Sequence, residues 1–501
     1  MYTPTQPNSN PRDLTPFAWL GAFLLGAFVR LYPAASSDFP INDGGLFYRF
    51  ILELQNHQFH LPLTSTYNQA QIPFVYPPLS FYLAGLASTI LHISVLDVIR
   101  WMPAVVSVLT IPAFYWLARE ILISKLQAVL ALFCFALLPT AFDFMVVGGG
   151  LSRSFGYLFS ILTLQQELRM LQGGNWKNTL ATGVFAALTV LSHPVAAWFT
   201  VFSAAVILLF KGRNKPGVTR AAVVVLIGIV LSTPWWGTIL LRFSPAVLVS
   251  AFRAGQLNSS NFFALFLFIH TNEPLLNFQA MLGLLGVVAC LHEKKYFIPF
   301  WLLIVFLLEP RLSATYAVIP TALLAAIGLD SIVLTSLTNT TSDQRDGGLR
   351  LSGAGRLLLV YFLVYGLITA FIAAPHTGLS QTERRAMSWI QSNLPGGQTF
   401  LVVSGISGAG SDYVSEWLPA LTNQISLGTP QGSEWLPGDV FRQLWTKHDA
   451  LQECFNQDGV CLNQWAAKIG RPYDYVLITP NASGERGALP AFLKGEANFR
   501  L

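Results

Sequence analysis

Charge is what this chain has least of. Only 11% of its 501 residues are Asp, Glu, Lys or Arg, against 53% that are hydrophobic. A soluble domain carries about a quarter charged residues, so the balance excludes an ordinary soluble enzyme and points to a polytopic membrane protein. The net charge of +5 is no argument for nucleic acid. Its cations are scattered over short loops, where they carry orientation information instead. Cysteine is scarce too: four residues are too few for a disulfide scaffold. Cys134 and Cys290 fall in apolar runs and read as packing residues. Cys454 and Cys461 lie in a polar region and would pair if it faces an oxidising compartment. Walker A, HExxH, GxSxG and paired CxxC motifs are all missing. The "GGG" at 148–150 lacks the strand context of a dinucleotide site and reads as a flexible outer loop.

Long apolar runs are what the chain has instead. A helix needs about 20 apolar residues to cross a bilayer. Segments near that length run at 14–33, 98–118, 126–142, 154–171, 178–192, 194–210, 221–240, 275–291, 296–308, 312–330 and 355–374. The first extends too far for a signal-peptide core and reads as a span. One further run, "YPPLSFYLAGLASTILHI" (76–93), would move every later loop to the other side if it crossed. Leaving it uncrossed places thirteen Lys and Arg on inner loops and four on outer ones: Arg153, Arg242, Arg253 and Arg311. The positive-inside rule therefore puts 76–93 at the outer interface or re-entrant. The expectation is about eleven spans, with the N-terminus cytoplasmic. Outer loops fall at 34–97, 143–153 and 241–274, and an extracytoplasmic C-terminal region at 375–501.

In the first outer loop, "NDGGLFYRFILELQNH" puts Leu46, Phe47, Phe50, Ile51 and Leu54 on one helix face. That pattern suits a helix lying in the membrane interface, with Asn42 or Asp43 at its N-terminus. Asp43 reads two ways, as a helix cap or as a general base made approachable by Gly44 and Gly45, and the two are compatible. Tyr76-Pro77-Pro78 opens the next apolar helix. A second acid, Asp143, lies in "TAFDFMVVGGGLSRS".

This arrangement of a first span, an outer "NDGG" loop with an amphipathic helix, and then "YPPLSFYL" resembles the GT-C glycosyltransferase superfamily. The likeness runs to the polytopic family that contains aminoarabinose and protein mannosyl transferases. "EPRLSATYAVIPTALLAAIGLD" is similar to that family's arginine-then-"P…LLAA" stretch, and the likeness covers roughly residues 14–330. Those transferases carry an acidic pair at the first site, whereas Gly44 follows Asp43 here.

The resemblance implies transfer of a sugar from a polyprenyl-phosphate donor to a glycan, lipid or protein acceptor at the outer membrane face, an EC 2.4 activity. Asp43 would be the general base and Asp143 a second catalytic-site acid, as a ligand to sugar, acceptor or metal, unless it is an ordinary carboxylate at a helix start. Arg153 and Arg311 would hold donor phosphate, and Tyr76, His193, His270 and Glu273 would line the donor phosphate or sugar. Each has a bland alternative: a snorkelling Arg153, a local Arg311–Glu309 pair, or a His193 that satisfies backbone freed by Pro194. A divalent metal (Mg or Mn) is left open. The family's prevalence suggests a bacterial cytoplasmic membrane. A transporter or flippase of lipid-linked sugars, or a non-catalytic assembly protein, is the rival reading; the spans show no clear internal repeat.

Beyond Phe371 the composition changes. "TERRAMSWIQSNLPGG" reads as a helix with a proline-glycine stop, and "QTFLVV" and "YDYVLIT" read as buried strands. A small α/β domain follows, covering the site's mouth, recruiting acceptor or serving only as an appendage. Trp417, Trp435, Trp445 and Trp465 would suit sugar stacking or core packing.

Overall fold

Each of the eleven apolar segments contains a helix, because backbone in hydrocarbon has to satisfy its own N–H and C=O groups. The computed structural model describes residues 15–254, 263–265, 267–309, 312–338, 353–481, 483–496 and 498–500. In chain order come α1 (Thr15–Ser36), α2 (Gly45–Asn56), α3 (Leu79–Leu91), α4 (Val95–Ile121), α5 (Lys125–Leu137) and α6 (Gly150–Leu171). They are followed by α7 (Trp176–Ser192), α8 (Pro194–Lys211), α9 (Lys215–Arg242) and α10 (Ala246–Ala254). Next come α11 (Phe278–His292), α12 (Phe297–Leu308), α13 (Ser313–Gly328) and α14 (Gly353–Ala373). A π-turn, Leu329–Leu334, carries α13 onward.

Among the described residues six of these helices are long and apolar enough to cross a membrane: α1, α4, α8, α9, α13 with its extension to Leu337, and α14. The other expected spans fall short for physical reasons. α5, α11 and α12 are short apolar helices, α7 has 17 residues, and α6 carries Arg153, Glu167 and Arg169. The protein is an integral membrane protein, and among the described residues length and composition by themselves support six of the crossings.

The run at 76–93 is the 13-residue helix α3, too short to span. It packs on α2 in a layer over one end of the bundle. Phe81 meets the rings of Phe47 and Phe50 at 4.9 and 5.4 Å, and Phe74 lies 4.4 Å from Phe50. The apolar face of α2 is thus buried against protein and does not lie on lipid. Glu53, on the same helix, is buried as well, and its Oε1 accepts from the N–H (2.8 Å) and hydroxyl (2.7 Å) of Thr66. Thr66 follows β1 (Thr64–Ser65), which pairs antiparallel with β2 (Ile72–Pro73).

The C-terminal region adds α15 (Gln381–Asn393), started by a Ser380–Glu383 capping box. Its sheet places β3 (Thr399–Val403) between β4 (Ile425–Ser426) and β5 (Tyr475–Ile478), all parallel. Helices α16 (Tyr413–Thr422), α17 (Val440–Gln452) and α18 (Gly459–Ile469) complete it. The strands at 399–403 and 475–478 fall in the two segments that read as buried strands. Cys454 and Cys461 form a disulfide between α17 and α18, with Cα atoms 5.7 Å apart. Trp417, Trp435 and Trp465 are core residues.

One buried histidine in this region sits between two carboxylates. His448 Nε2 lies 2.9 Å from Asp412 Oδ2, and Nδ1 lies 3.2 Å from Asp449. Burial pulls the imidazole down, but hydrogen bonds and charge from Asp412 and Asp449 outweigh it, and the net shift is upward. A group raised on folding stabilises fully below its unfolded value of about 6.5, and that contribution fades as pH rises through the folded value. Hydrogen exchange over α17 in wild type therefore speeds up, beyond the intrinsic trend, as pH is raised above about 6.5. His448→Gln, which cannot take up a proton, removes that excess.

Candidate functional site

The candidate site forms where the segment between α1 and α2 is laid across the start of α6. Backbone approach is very close there. Gly148 N–H donates to Ile41 O at 2.9 Å. A Cβ on Gly148 would run into the carbonyl oxygen of Asp43, and one on Gly149 would run into its carboxylate. Gly44 has φ +125°, a conformation closed to L side chains, and a Cβ there would press on the Gly148 backbone at 3.1 Å. The "GGG" stretch is therefore a packed seam rather than a flexible loop.

Asp43 is held across that seam. Its Oδ1 accepts from Gly149 N–H at 2.9 Å, just ahead of α6. Its Oδ2 pairs with Arg153 Nη2 at 2.9 Å, while Arg153 Nε donates to Gly149 O at 3.1 Å. A helix N-terminus and a guanidinium both favour negative charge at that point. Asp43 does not cap its own helix. The N-cap of α2 is Gly44, which has no side chain to offer. The missing acceptor comes from the C-terminal region: Glu416 Oε1 accepts from Gly44 N–H at 3.0 Å and Leu46 N–H at 3.2 Å. Burial first, then the charge of Asp43, pushes the Glu416 carboxyl up to about 8, while the two N–H bonds pull the other way. Trp417 Nε1 donates to Asn42 O at 2.9 Å, and Tyr67 hydroxyl donates to Glu416 O at 2.8 Å.

Other sequence-derived candidates gather at the same end of α6. Tyr76 hydroxyl is 3.2 Å from Ser152 Oγ, beside Arg153 in sequence. The Tyr76 ring packs against Phe47 and Trp435 and lies 6.4 Å from the His193 ring. His193 is buried between α7 and α8, where Nδ1 accepts from Ala196 N–H at 3.3 Å. Asp143 accepts from Phe144 N–H at 2.7 Å, and Arg153 sits over the Phe144 ring. Burial pushes the Asp143 carboxyl up, against that N–H and the charge of Arg153.

His270 and Glu273 go elsewhere. His270 Nε2 is 3.0 Å from Thr321 Oγ1 within α13, with the Phe306 ring against it. Glu273 accepts from Gln279 and Ala280 N–H groups and so caps α11. Arg311 lies outside the described residues. As for a metal, no three His, Cys, Asp or Glu side chains cluster among the described residues. Both oxygens of Asp43 face N–H donors instead, so the residues present do not fit a metal site. Sequence reasoning missed Glu416, which no motif marks, and did not place Trp417 beside this loop.

Next to this loop a cleft of about 430 Å³ opens between the first outer loop, the start of α4, and α15. Tyr48, Asp97, Arg100, Arg384 and Gln391 are among its lining.

The arrangement has counterparts. The family model for dolichyl-phosphate-mannose-protein mannosyltransferases matches residues 75–237, about a third of the chain. No curated protein sequence matches. Among solved structures, the Archaeoglobus fulgidus oligosaccharyltransferase, in complex with Zn and sulfate, aligns with a TM-score of 0.60 at 16% identity. That alignment covers 86% of this chain and 67% of that one. ArnT from Cupriavidus metallidurans, bound to undecaprenyl phosphate, aligns at 0.55 and 14% identity, over 86% of this chain and 88% of that one. The mycobacterial arabinofuranosyltransferase AftD aligns at 0.53 and 18% identity, over 83% of this chain and 31% of that one. The fold is that of the GT-C glycosyltransferases. In this chain the immediate partners of Asp43 are the start of α6 and Arg153.

If the glycine seam holds the carboxylate, Gly149→Ala expels it and costs about 1–3 kcal/mol of stability through overpacking. Thermal melts measure the loss. Labelling of Asp43 by a water-soluble carbodiimide should rise in the variant.

Proposed function

We propose that this protein transfers a sugar from a polyprenyl-phosphate-linked donor to an acceptor at the outer face of the membrane, with Asp43 as general base. The observation that carries this reading is the Asp43–Arg153 pair, a carboxylate and a guanidinium 2.9 Å apart at the outer end of α6. Glycosyl transfer needs these two groups close together. The base takes the proton from the acceptor hydroxyl or amide as its heteroatom bonds the anomeric carbon. The bond from that carbon to the phosphate oxygen breaks, and its electron pair leaves on the phosphate, whose negative charge a cation stabilises. Arg153 is placed for that task, because two of its nitrogens are engaged by Gly149 and Asp43 and Nη1 has no partner among the described residues. Tyr76 and His193 would line the donor beside it. Asp143, kept from easy ionisation by burial, is suited to donating a hydrogen bond to sugar or acceptor.

The donor class is supported by the undecaprenyl phosphate that the ArnT structure carries in the same fold. The apolar exterior of the bundle would keep the polyprenyl chain at membrane depth. A cytoplasmic N-terminus and an extracytoplasmic C-terminal region belong to this reading, and the second suits the Cys454–Cys461 disulfide. The membrane would then be a bacterial cytoplasmic membrane.

The test uses full-length protein in nanodiscs with a panel of undecaprenyl-phosphate sugars, and the surface glycans and lipid-linked sugars of cells with and without the gene. Asp43→Asn should lower transfer by about 10²–10⁴-fold, the usual contribution of a general base, while undecaprenyl phosphate still binds. Normal transfer by this variant removes Asp43 from the mechanism. Arg153→Gln should weaken binding of undecaprenyl phosphate at least ten-fold in a direct binding measurement.

A further inference from the structure

We infer that Glu416, more than 370 positions along the chain from Asp43, is a positioning residue for the transfer reaction. It holds the peptide that carries the base. The inference rests on the assignment of Asp43 as base. The loop around Asp43 is fixed on two sides by different parts of the chain. The carboxylate is held by α6, through Gly149 and Arg153. The backbone is held by the C-terminal region. Asn42 N–H donates to Thr377 O at 2.8 Å, Asn42 O accepts from Trp417, and Gly44 and Leu46 N–H both donate to Glu416 Oε1. A Cβ on Gly45 would collide with Glu416 O, so the fit leaves no slack between α2 and α16.

These contacts explain why a carboxylate lies in a buried place. Glycine at the N-cap of α2 leaves its first amides without a side-chain acceptor from their own segment. Glu416 supplies one from α16, its Oε1 accepting from both Gly44 and Leu46 N–H. The same two bonds set the direction in which residue 43 leaves the helix, and hence where its carboxylate meets Arg153. A misplacement of about 1 Å in a reacting group can cost on the order of 10²-fold in rate. Glu416 touches no reacting atom. Its effect is to keep Asp43 in register with the seam.

Three variants of the full chain in nanodiscs test this. Glu416→Gln keeps an acceptor oxygen in place, Glu416→Asp draws it back by one methylene, and Glu416→Ala removes it. Gln452→Ala, which removes an acceptor used by Ser404 and Gly405 inside the C-terminal region, is the control for lost stability alone. With whichever undecaprenyl-phosphate sugar the wild type turns over, Asp and Ala should lower kcat at least ten-fold while KM for donor stays within two-fold. Gln should recover most of the loss. Hydrogen exchange over residues 41–47, which needs no substrate, should speed up at least ten-fold in Ala and return toward wild type in Gln. If Ala fails to fold, the Asp and Gln pair carries the same comparison. A kcat within two-fold of wild type in Asp and Ala overturns the inference, as does an equal loss in Gln452→Ala at equal melting temperature. An active Asp43→Asn would instead overturn the assignment of the base.

Discussion

The candidate site depends on two stretches of backbone lying closer than side chains allow. Gly44 on one strand of chain and Gly148 and Gly149 on the other make the contact, and a Cβ on any of them would force it apart. What that contact achieves is electrostatic. A carboxylate taken from water must be paired or hydrogen-bonded, or it takes up a proton. At the seam, Asp43 receives an amide N–H at the start of α6 and the guanidinium of Arg153 one turn further along.

A layer of protein lies over this end of the bundle and fixes that geometry. α2 and α3 bury their aromatic faces against each other, so the segment between α1 and α4 is a packed element and not a film on lipid. The C-terminal region closes over them. Asn68 exchanges two hydrogen bonds with the backbone of Ser426, and Arg384 pairs with Asp38. Trp417 stacks edge-on to Phe39. The loop that carries Asp43 is held in place because residues hundreds of positions apart share one apolar core.

Much of the fold was legible beforehand. Apolar runs near 20 residues become helices because hydrocarbon tolerates no unpaired backbone, and alternating or fully apolar short runs near the C-terminus became β3 and β5. The crossing count was less legible, since α5, α11 and α12 are short and α6 carries charge along its length. At the site, local sequence pointed to Asp43, Arg153 and Tyr76, which tertiary packing does bring to one end of α6. It also pointed to His270 and Glu273. Glu273 caps α11 and His270 packs against α13, because a polar side chain near a helix start can serve the nearest orphan amide as readily as a substrate.

By itself the sequence determined the membrane character, the succession of helices and the presence of an acid next to glycines outside the first span. Those properties follow from composition and periodicity, which act over a few turns of chain. Only the tertiary structure decided that the three glycines form a seam, that Arg153 is the partner of Asp43, and that Glu416 caps the helix behind it. Such pairings depend on where distant segments come to rest, and no local propensity encodes a hydrogen bond between residues 44 and 416.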